Sequence, residues 1–486
     1  MLMNNQFLRY KLLWVSLLFA GPYLTAQDNH YSWLQYGSRN SILNNANLSR
    51  FEDQSAVVIN PATLSQATQS SFTFNTNAVS FGNIKFKDGL GKGFTIKNSN
   101  LNLLPSMASG VIKSKDPEKD LVLGYAIYSS NIDLLNFSDR VESKLDIINE
   151  TESPGEENYL AQYNLHTNLS EVSVVLGAGW TLGNKISIGV SQTFVYRAQE
   201  YGQKFSAYAI PDIGSGATVD LAGSNFTYTT NFFKTMTFTR IGLIASPGKW
   251  DLGLVLTTPS LGLIGDGYIL ADINLINIRV NHDINTPRKN YVANGEFDKL
   301  KVKYKFPVNA SFGVSRLFGK VRLYGSISWF GEAKAYNILD PGDAAFIQPP
   351  SDSNVLYTNN LLSLWSSNRM VINGSLAADW IIRPDYHLLF SVRSDNHYGE
   401  FDKTINGINP SIKQWDNYHF TVGAQRDFGS SKWVVGIRYN YANRKDYPQP
   451  ISFSDPTEDN FFKGERSTGE VTSTGLMLLL SYSFSF

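Results

Sequence analysis

Apolar and small polar residues alternate over most of the chain. In its last stretch Leu476, Leu478, Leu480, Tyr482, Phe484 and Phe486 fall on one face, and Gly475, Met477, Leu479, Ser481, Ser483 and Ser485 on the other. A period of two marks a strand with one apolar face. Val172, Val174, Leu176, Ala178, Trp180 and Leu182 oppose Ser173, Val175, Gly177, Gly179 and Thr181 in the same way. Ile186, Ile188, Val190, Phe194 and Tyr196 oppose Ser187, Gly189, Ser191 and Thr193, while Trp433, Val435, Ile437, Tyr439 and Tyr441 oppose Val434, Gly436, Arg438 and Asn440. The second face is too small and polar to be a second core layer.

Fourteen segments follow this rule: 70–82, 101–113, 120–131, 169–182, 185–201, 225–246, 250–263, 301–317, 321–331, 369–382, 386–398, 414–428, 432–443 and 469–486. The connectors alternate without exception. Short ones (114–119, 183–184, 247–249, 318–320, 383–385, 429–431) follow the even segments, and long ones (83–100, 132–168, 202–224, 264–300, 332–368, 399–413, 444–468) follow the odd segments. This pattern predicts an all-β, 14-stranded antiparallel transmembrane β-barrel of residues 70–486, with short periplasmic turns, long external loops and both termini periplasmic. Closure leaves no unpaired sheet edge in lipid. A secreted sandwich, propeller or solenoid also alternates, but the chain shows no fixed-period repeat, and a water-facing sheet would carry Lys and Glu where this one carries Leu, Ile, Val, Phe, Trp and Tyr.

Residues 1–26 have a positive head (Arg9, Lys11), an apolar run Leu12–Ala20, and Gly21, Pro22 and Thr25–Ala26. That is the pattern of a signal peptide, with cleavage expected after Ala26. The run is shorter than the roughly 20 residues of a spanning helix, and no such run follows it. Composition narrows the function. Only 17% of the residues are charged, against about 25% in ordinary globular domains. The absence of Cys excludes disulfide scaffolds, thiolate metal sites and thiol nucleophiles. With 42 Lys+Arg against 42 Asp+Glu there is no bulk electrostatic grip on nucleic acid.

Residues 27–69 do not alternate, yet they carry Trp33, Leu34, Ile42, Leu43, Leu48, Val57, Val58, Ile59 and Leu64. The lumen of a fourteen-stranded barrel is too wide for its wall side chains to fill, so this stretch is expected to pack there as an N-terminal hatch. Its residues Ser55-Ala56-Val57-Val58-Ile59-Asn60-Pro61-Ala62, after Glu52-Asp53, resemble the N-terminal signature of the FadL-type outer-membrane transporters. Arg240–Gly253, Ser260–Gly267 and Pro307–Gly313 are similar to further stretches of that family, while Thr63 stands where the family usually has Gly. The resemblance implies a plugged fourteen-stranded barrel in the outer membrane. It also implies a hydrophobic ligand such as a fatty acid or aromatic compound, which leaves sideways into membrane lipid through a gap made by a kinked strand. PorV-like relatives instead serve as adaptors or shuttles for other outer-membrane proteins.

Within this frame the hatch motif is Asn60, Pro61 and Ala62, with Asn60 expected to bond backbone or wall groups and Pro61 to preorganise the turn. Arg322, Arg393 and Arg438 occupy lumen-facing positions, and at least one of the hatch carboxylates Glu52 and Asp53 is expected to pair with them. Loop stretches 139–157 and 286–299 are expected to face a ligand or partner. No catalytic set, metal site or cofactor motif is found: the six His show no metal spacing, no GxSxG occurs, and Asp395-Asn396-His397 reads as a loop hydrogen bond. The readings that remain are passive uptake of a hydrophobic small molecule, a non-transporting partner barrel, and, less well supported, an aqueous porin. The topology predicts that single Cys residues placed at Asn158 and Asn290 are labelled by an impermeant reagent on intact cells and that one at Asp116 is not; the reverse pattern would refute it.

Overall fold

The computed structural model describes residues 29–31, 35–114, 120–183, 185–212, 214, 216–279, 287–342, 362–399 and 410–486. The expected signal peptide, Trp33, Leu34 and Asp116 lie outside them. Sixteen strand segments form one antiparallel sheet, and four of them are the halves of two interrupted strands, so the wall has fourteen strands. These are β1 Ser71–Lys87, β2 Ile96–Lys113, β3 Val122–Leu145, β4 Glu157–Leu182, β5 Ile186–Ile210, β6 Ala222–Ala245, β7 in two pieces Trp250–Thr257 and Leu261–Ile278, and β8 in two pieces Lys289–Lys301 and Asn309–Phe318. There follow β9 Val321–Phe330, β10 Val371–Arg383, β11 Tyr386–Asp395, β12 Asn417–Phe428, β13 Ser431–Pro448 and β14 Thr468–Ser485. β14 pairs with β1 from Ser71↔Ser485 upward, which closes the ring.

The strands are longer than the alternation of apolar-out residues predicts, and β4 shows why. From Val172 to Leu176 its apolar side chains point outward, 37–58% exposed at Val172, Val174 and Leu176. Nearer the long connector the phase inverts: Tyr159, Ala161, Tyr163 and Leu165 point inward and are buried. The surroundings change from lipid to water there, so the apolar residues turn to the only dry side left. The outward apolar stretch, Val172–Leu182, matches the roughly 9–11 residues of a membrane-crossing strand. The long connectors 132–168, 202–224 and 264–300 are therefore largely strand, a correction to the sequence reading.

The expected strands 250–263 and 301–317 are each broken. β7 stops at Thr257 and resumes at Leu261, around Pro259; β8 is interrupted over 302–308, which includes Pro307. A proline has no N–H for a ladder, and here two stand in neighbouring strands. The gap is bridged by Ser260 N donating to Phe306 O at 3.0 Å and Phe306 N donating to Ser260 Oγ at 2.8 Å. Across it Lys234 of β6 donates its Nζ to Val302 O at 3.0 Å. β2 and β3 are also joined over only part of their length, Met107–Lys113 with Val122–Tyr128.

Among the described residues two large apolar clusters and a small one of Phe330, Val371 and Tyr398 fill the interior. The one toward the short turns unites the N-terminal segment with Met107, Val111, Val175, Met477 and Leu479 of the wall. The one toward the long connectors includes Ile147, Ile148, Tyr159, Tyr163, Phe205, Trp415, Phe453 and Phe462. Over the latter, Arg279 reaches Glu152 at 2.5 Å, Arg288 reaches Glu152 at 2.7 Å and Glu458 at 2.5 Å, and Arg279 N donates to Glu458 Oε1 at 3.2 Å. Of the loop stretches 139–157 and 286–299, whose residue 286 lies outside the described residues, Ile147 and Ile148 supply interior packing and Glu152 and Arg288 take part in the clasp. Glu157 is fully buried and accepts the N–H groups of Ile147 and Ile148 at 2.8 and 3.1 Å.

The polarity inversion predicts opposite costs for one substitution. Leu176→Lys, in the outward apolar stretch, should destabilise the barrel by about 2–4 kcal/mol. Gln162→Lys, beyond the inversion, should stay within about 0.5 kcal/mol. Urea unfolding in lipid vesicles reads both.

Candidate functional site

The segment that precedes β1 lies against inward-facing residues of most of the wall. Helix α1, Ser38–Leu43, packs on β1 and β10–β14; helix α2, Ala56–Ile59, packs on β3 and β4; the 3-10 turn Pro61–Gln66 packs on β3–β6. Neither helix is long enough to hold itself together by propensity. Asp53 binds both: its Oδ2 accepts from Asn40 N at 2.9 Å and Ser38 Oγ at 3.3 Å, and its Oδ1 from Ser55 N at 2.8 Å. Asn44 donates to Ser391 Oγ and Thr421 Oγ1 at 2.8 and 2.9 Å, and Ser326 Oγ donates to Asn45 O at 3.0 Å.

Asn60, Pro61 and Ala62 are all buried. Asn60 Oδ1 accepts from Ala62 N at 3.1 Å, which starts the 3-10 turn, with Pro61 at its first position. Its Nδ2 donates to Leu48 O at 2.7 Å and to the wall at Leu243 O at 3.4 Å. Thr63 donates Oγ1 to Asn60 O at 2.8 Å. The wall makes room with two glycines paired across β5 and β6, Gly189↔Gly242. A Cβ on Gly189 would stand 2.3 Å from the Pro61 carbonyl carbon, and one on Gly242 2.0 Å from Asn60 Oδ1. The small inward face follows from what it must admit.

The expected pairing of Glu52 or Asp53 with a wall arginine does not occur. Asp53 is used up within the segment, as described. Glu52 sits 2.9 Å from Arg39 and 3.5 Å from Arg50, both in its own segment, and meets the wall through the Tyr324 hydroxyl, which donates at 2.7 Å. The wall supplies carboxylates instead. Arg39 donates to Asp379 of β10 at 2.5 Å and to Gln425 of β12 at 2.7 Å. Burial opposes the Arg39 charge, but Glu52, Tyr324 and Asp379 outweigh it and hold the guanidinium above its ordinary range. Arg322 pairs with Asp251 at 3.2 Å, and Arg50 approaches the same carboxylate at 3.7 Å. Arg438, fully buried, donates to Ser41 O of the segment at 2.7 Å. Arg393 points inward, buried.

Where the clusters meet, a cavity of about 170 Å³ remains between the segment and the wall. Its walls come from Tyr36, Val58 and Ile59 of the segment, Tyr128 and Arg240 of β3 and β6, and Phe238, Thr257, Tyr304 and Phe306 around the β7–β8 break. Tyr31 borders it, stacked between Phe330 (centroids 4.3 Å apart) and Tyr398 (4.1 Å) and edge-on to Phe306 (5.3 Å). His30 and His419 approach the buried Asp395 carboxylate at 3.5 Å each. Burial, with Arg369 nearby, pushes the His397 imidazole down to about 3, so it is neutral at physiological pH. Sequence reasoning missed this cavity and the roles of Arg39 and Tyr31, since they follow from three-dimensional contacts of a stretch with no period.

The segment's seating gives two expectations. Arg39→Met leaves Asp379 with His387 at 2.8 Å and Glu52 with Arg50 and the Tyr324 hydroxyl, but removes the cation they share, and should destabilise by about 3 kcal/mol. Asn60→Ala should admit small hydrophilic antibiotics to cells at normal protein levels; unchanged permeability would mean that the motif does not hold the seal.

The sequence matches no family model and no curated protein. Solved structures do match. A FadL homologue from Pseudomonas aeruginosa is 14% identical, with a TM-score of 0.52 over 96% of this chain and 100% of that one. The toluene transporter TodX of P. putida is 14% identical, with a TM-score of 0.54 over 93% and 99%. The toluene transporter TbuX of Ralstonia pickettii is 12% identical, with a TM-score of 0.50 over 93% and 98%. With its closed ring of fourteen strands and this end-to-end likeness, the chain has the fold of the FadL-type outer-membrane transport barrels.

Proposed function

We propose that the chain is an outer-membrane channel for passive uptake of small hydrophobic molecules. Residues 1–26 direct export, residues 27–69 form the hatch, both termini are periplasmic, and the ligand leaves sideways into lipid. The observation that carries this reading is the cavity beside the interrupted wall. Phe238, Thr257, Tyr304 and Phe306 border both the cavity and the β7–β8 break, so a molecule held there is separated from lipid by a seam with few backbone bonds. Leu261, Leu263 and Ile264 on the outer side of the seam are 56–70% exposed, an apolar landing for a ligand that partitions into membrane. The structurally similar TodX and TbuX are toluene transporters, which fits a hydrophobic cargo of this size.

The chain has no Cys, which makes a lock possible. Ser260 and Phe306 are held together across the gap by Ser260 N donating to Phe306 O at 3.0 Å and Phe306 N donating to Ser260 Oγ at 2.8 Å, which puts the two positions within disulfide reach. Oxidised Ser260→Cys/Phe306→Cys should take up toluene more slowly than the reduced form and the Phe306→Cys single variant, and reductant should restore the rate. Full cross-linking with undiminished uptake would exclude this exit. Uptake equal to that of cells lacking the protein, in the unmodified chain, would favour the adaptor role instead.

A further inference from the structure

The arginines of the lumen divide into two groups. Arg39, Arg197, Arg322 and Arg438 each meet an oxygen within 3.2 Å: Asp379, Glu171, Asp251 and Ser41 O respectively. Arg240 and Arg393 do not. The Nη1 of each is buried without a hydrogen-bond partner among the described residues, and both side chains line the cavity. Arg393 is 4% exposed. Asp395, two residues along the strand, attracts the Arg393 charge through space but makes no hydrogen bond to it; its carboxylate lies 3.5 Å from His30 and from His419 and 3.4 Å from Asn373. Arg240 has the face of the Phe238 ring, 5.6 Å from its guanidinium carbon.

A buried guanidinium without an acceptor is costly unless something pairs with it. A neutral hydrocarbon cannot: it would fill the cavity and leave both forks dry. An anion can, and a carboxylate matches the planar two-pronged donor best. Part of the remaining wall, Met236, Phe238, Val255, Phe306 and Phe330, suits an apolar body; Ser173, Ser311, Ser328 and Glu171, the last held by Arg197 at 3.0 Å, line other parts. The cavity's 170 Å³ limits that body to about one ring, since a cavity of roughly 150 Å³ accommodates benzene.

We propose that this cavity binds a small aryl carboxylate, its ring against the aromatic wall beside the β7–β8 break and its carboxylate on Arg393 and Arg240. This rests on the uptake reading for its biological sense, but binding to the purified barrel tests it independently. Calorimetry with benzoate and with toluene on the detergent-solubilised protein should show benzoate binding at least tenfold tighter. Arg240→Gln/Arg393→Gln should weaken benzoate at least tenfold and abolish its preference over toluene. The ligand-free double variant should melt no lower than the parent, because neither Nη1 has a hydrogen-bond acceptor among the described residues; loss of a structural ion pair would lower it. Benzoate affinity unchanged by the double substitution, or no benzoate binding, or a double variant that melts well below the parent, would overturn the proposal. Benzoate binding without uptake of either compound would spare it and refute the channel instead. Toluene uptake without benzoate binding would do the opposite.

Discussion

Lipid offers a backbone nothing to bond with, and the rest of the structure descends from that constraint. Each strand must find partners on both sides, so the sheet closes. Closure at fourteen strands makes a lumen wider than inward side chains can span. The chain fills it from both ends, with its own N-terminal stretch on the short-turn side and with loop residues such as Phe453, Phe461 and Phe462 on the other. The small inward face that alternates with the apolar outer one is the imprint of this filling. Where Asn60 and Pro61 come closest, only glycine fits.

Polar contacts of the segment are distributed with a consistent logic. Short helices that cannot sustain themselves are held by one internal carboxylate, Asp53, while ties to the wall include those of Arg39, Asn44, Glu52 and Asn60. Because Arg39 faces Glu52 from its own segment and Asp379 from the wall, one buried cation serves the internal fold and the docking together. A charge pair split between segment and wall alone would leave each part with an unpartnered ion on separation.

Strand number and membrane faces were legible in the sequence because period-two alternation and chemistry point the same way wherever lipid lies outside. Val172–Leu182 and Leu476–Phe486 show this plainly. Strand length was not legible, since at Tyr159–Leu165 the same alternation continues with its polarity exchanged and reads as loop. The interruptions at Thr258–Ser260 and 302–308 were hidden inside otherwise regular apolar runs, with Pro259 and Pro307 as the signals that mark them. The partners of Glu52 and Asp53 are not legible in the sequence, because Arg39 and Asp379 sit in an aperiodic stretch and a regular strand with nothing to link them.

The clasp of Glu152, Arg279, Arg288 and Glu458 joins the connectors β3–β4, β7–β8 and β13–β14, which leave the wall at well-separated points of its circumference. Mechanically, a cylinder open at one end is a hoop that ovalises easily, and a tie across its mouth removes that soft mode. Ionic ties usually slacken in brine. These side chains are only 5–14% exposed, and pairs so shielded are little screened by dissolved ions. The tie across the rim should therefore depend little on the salt around it.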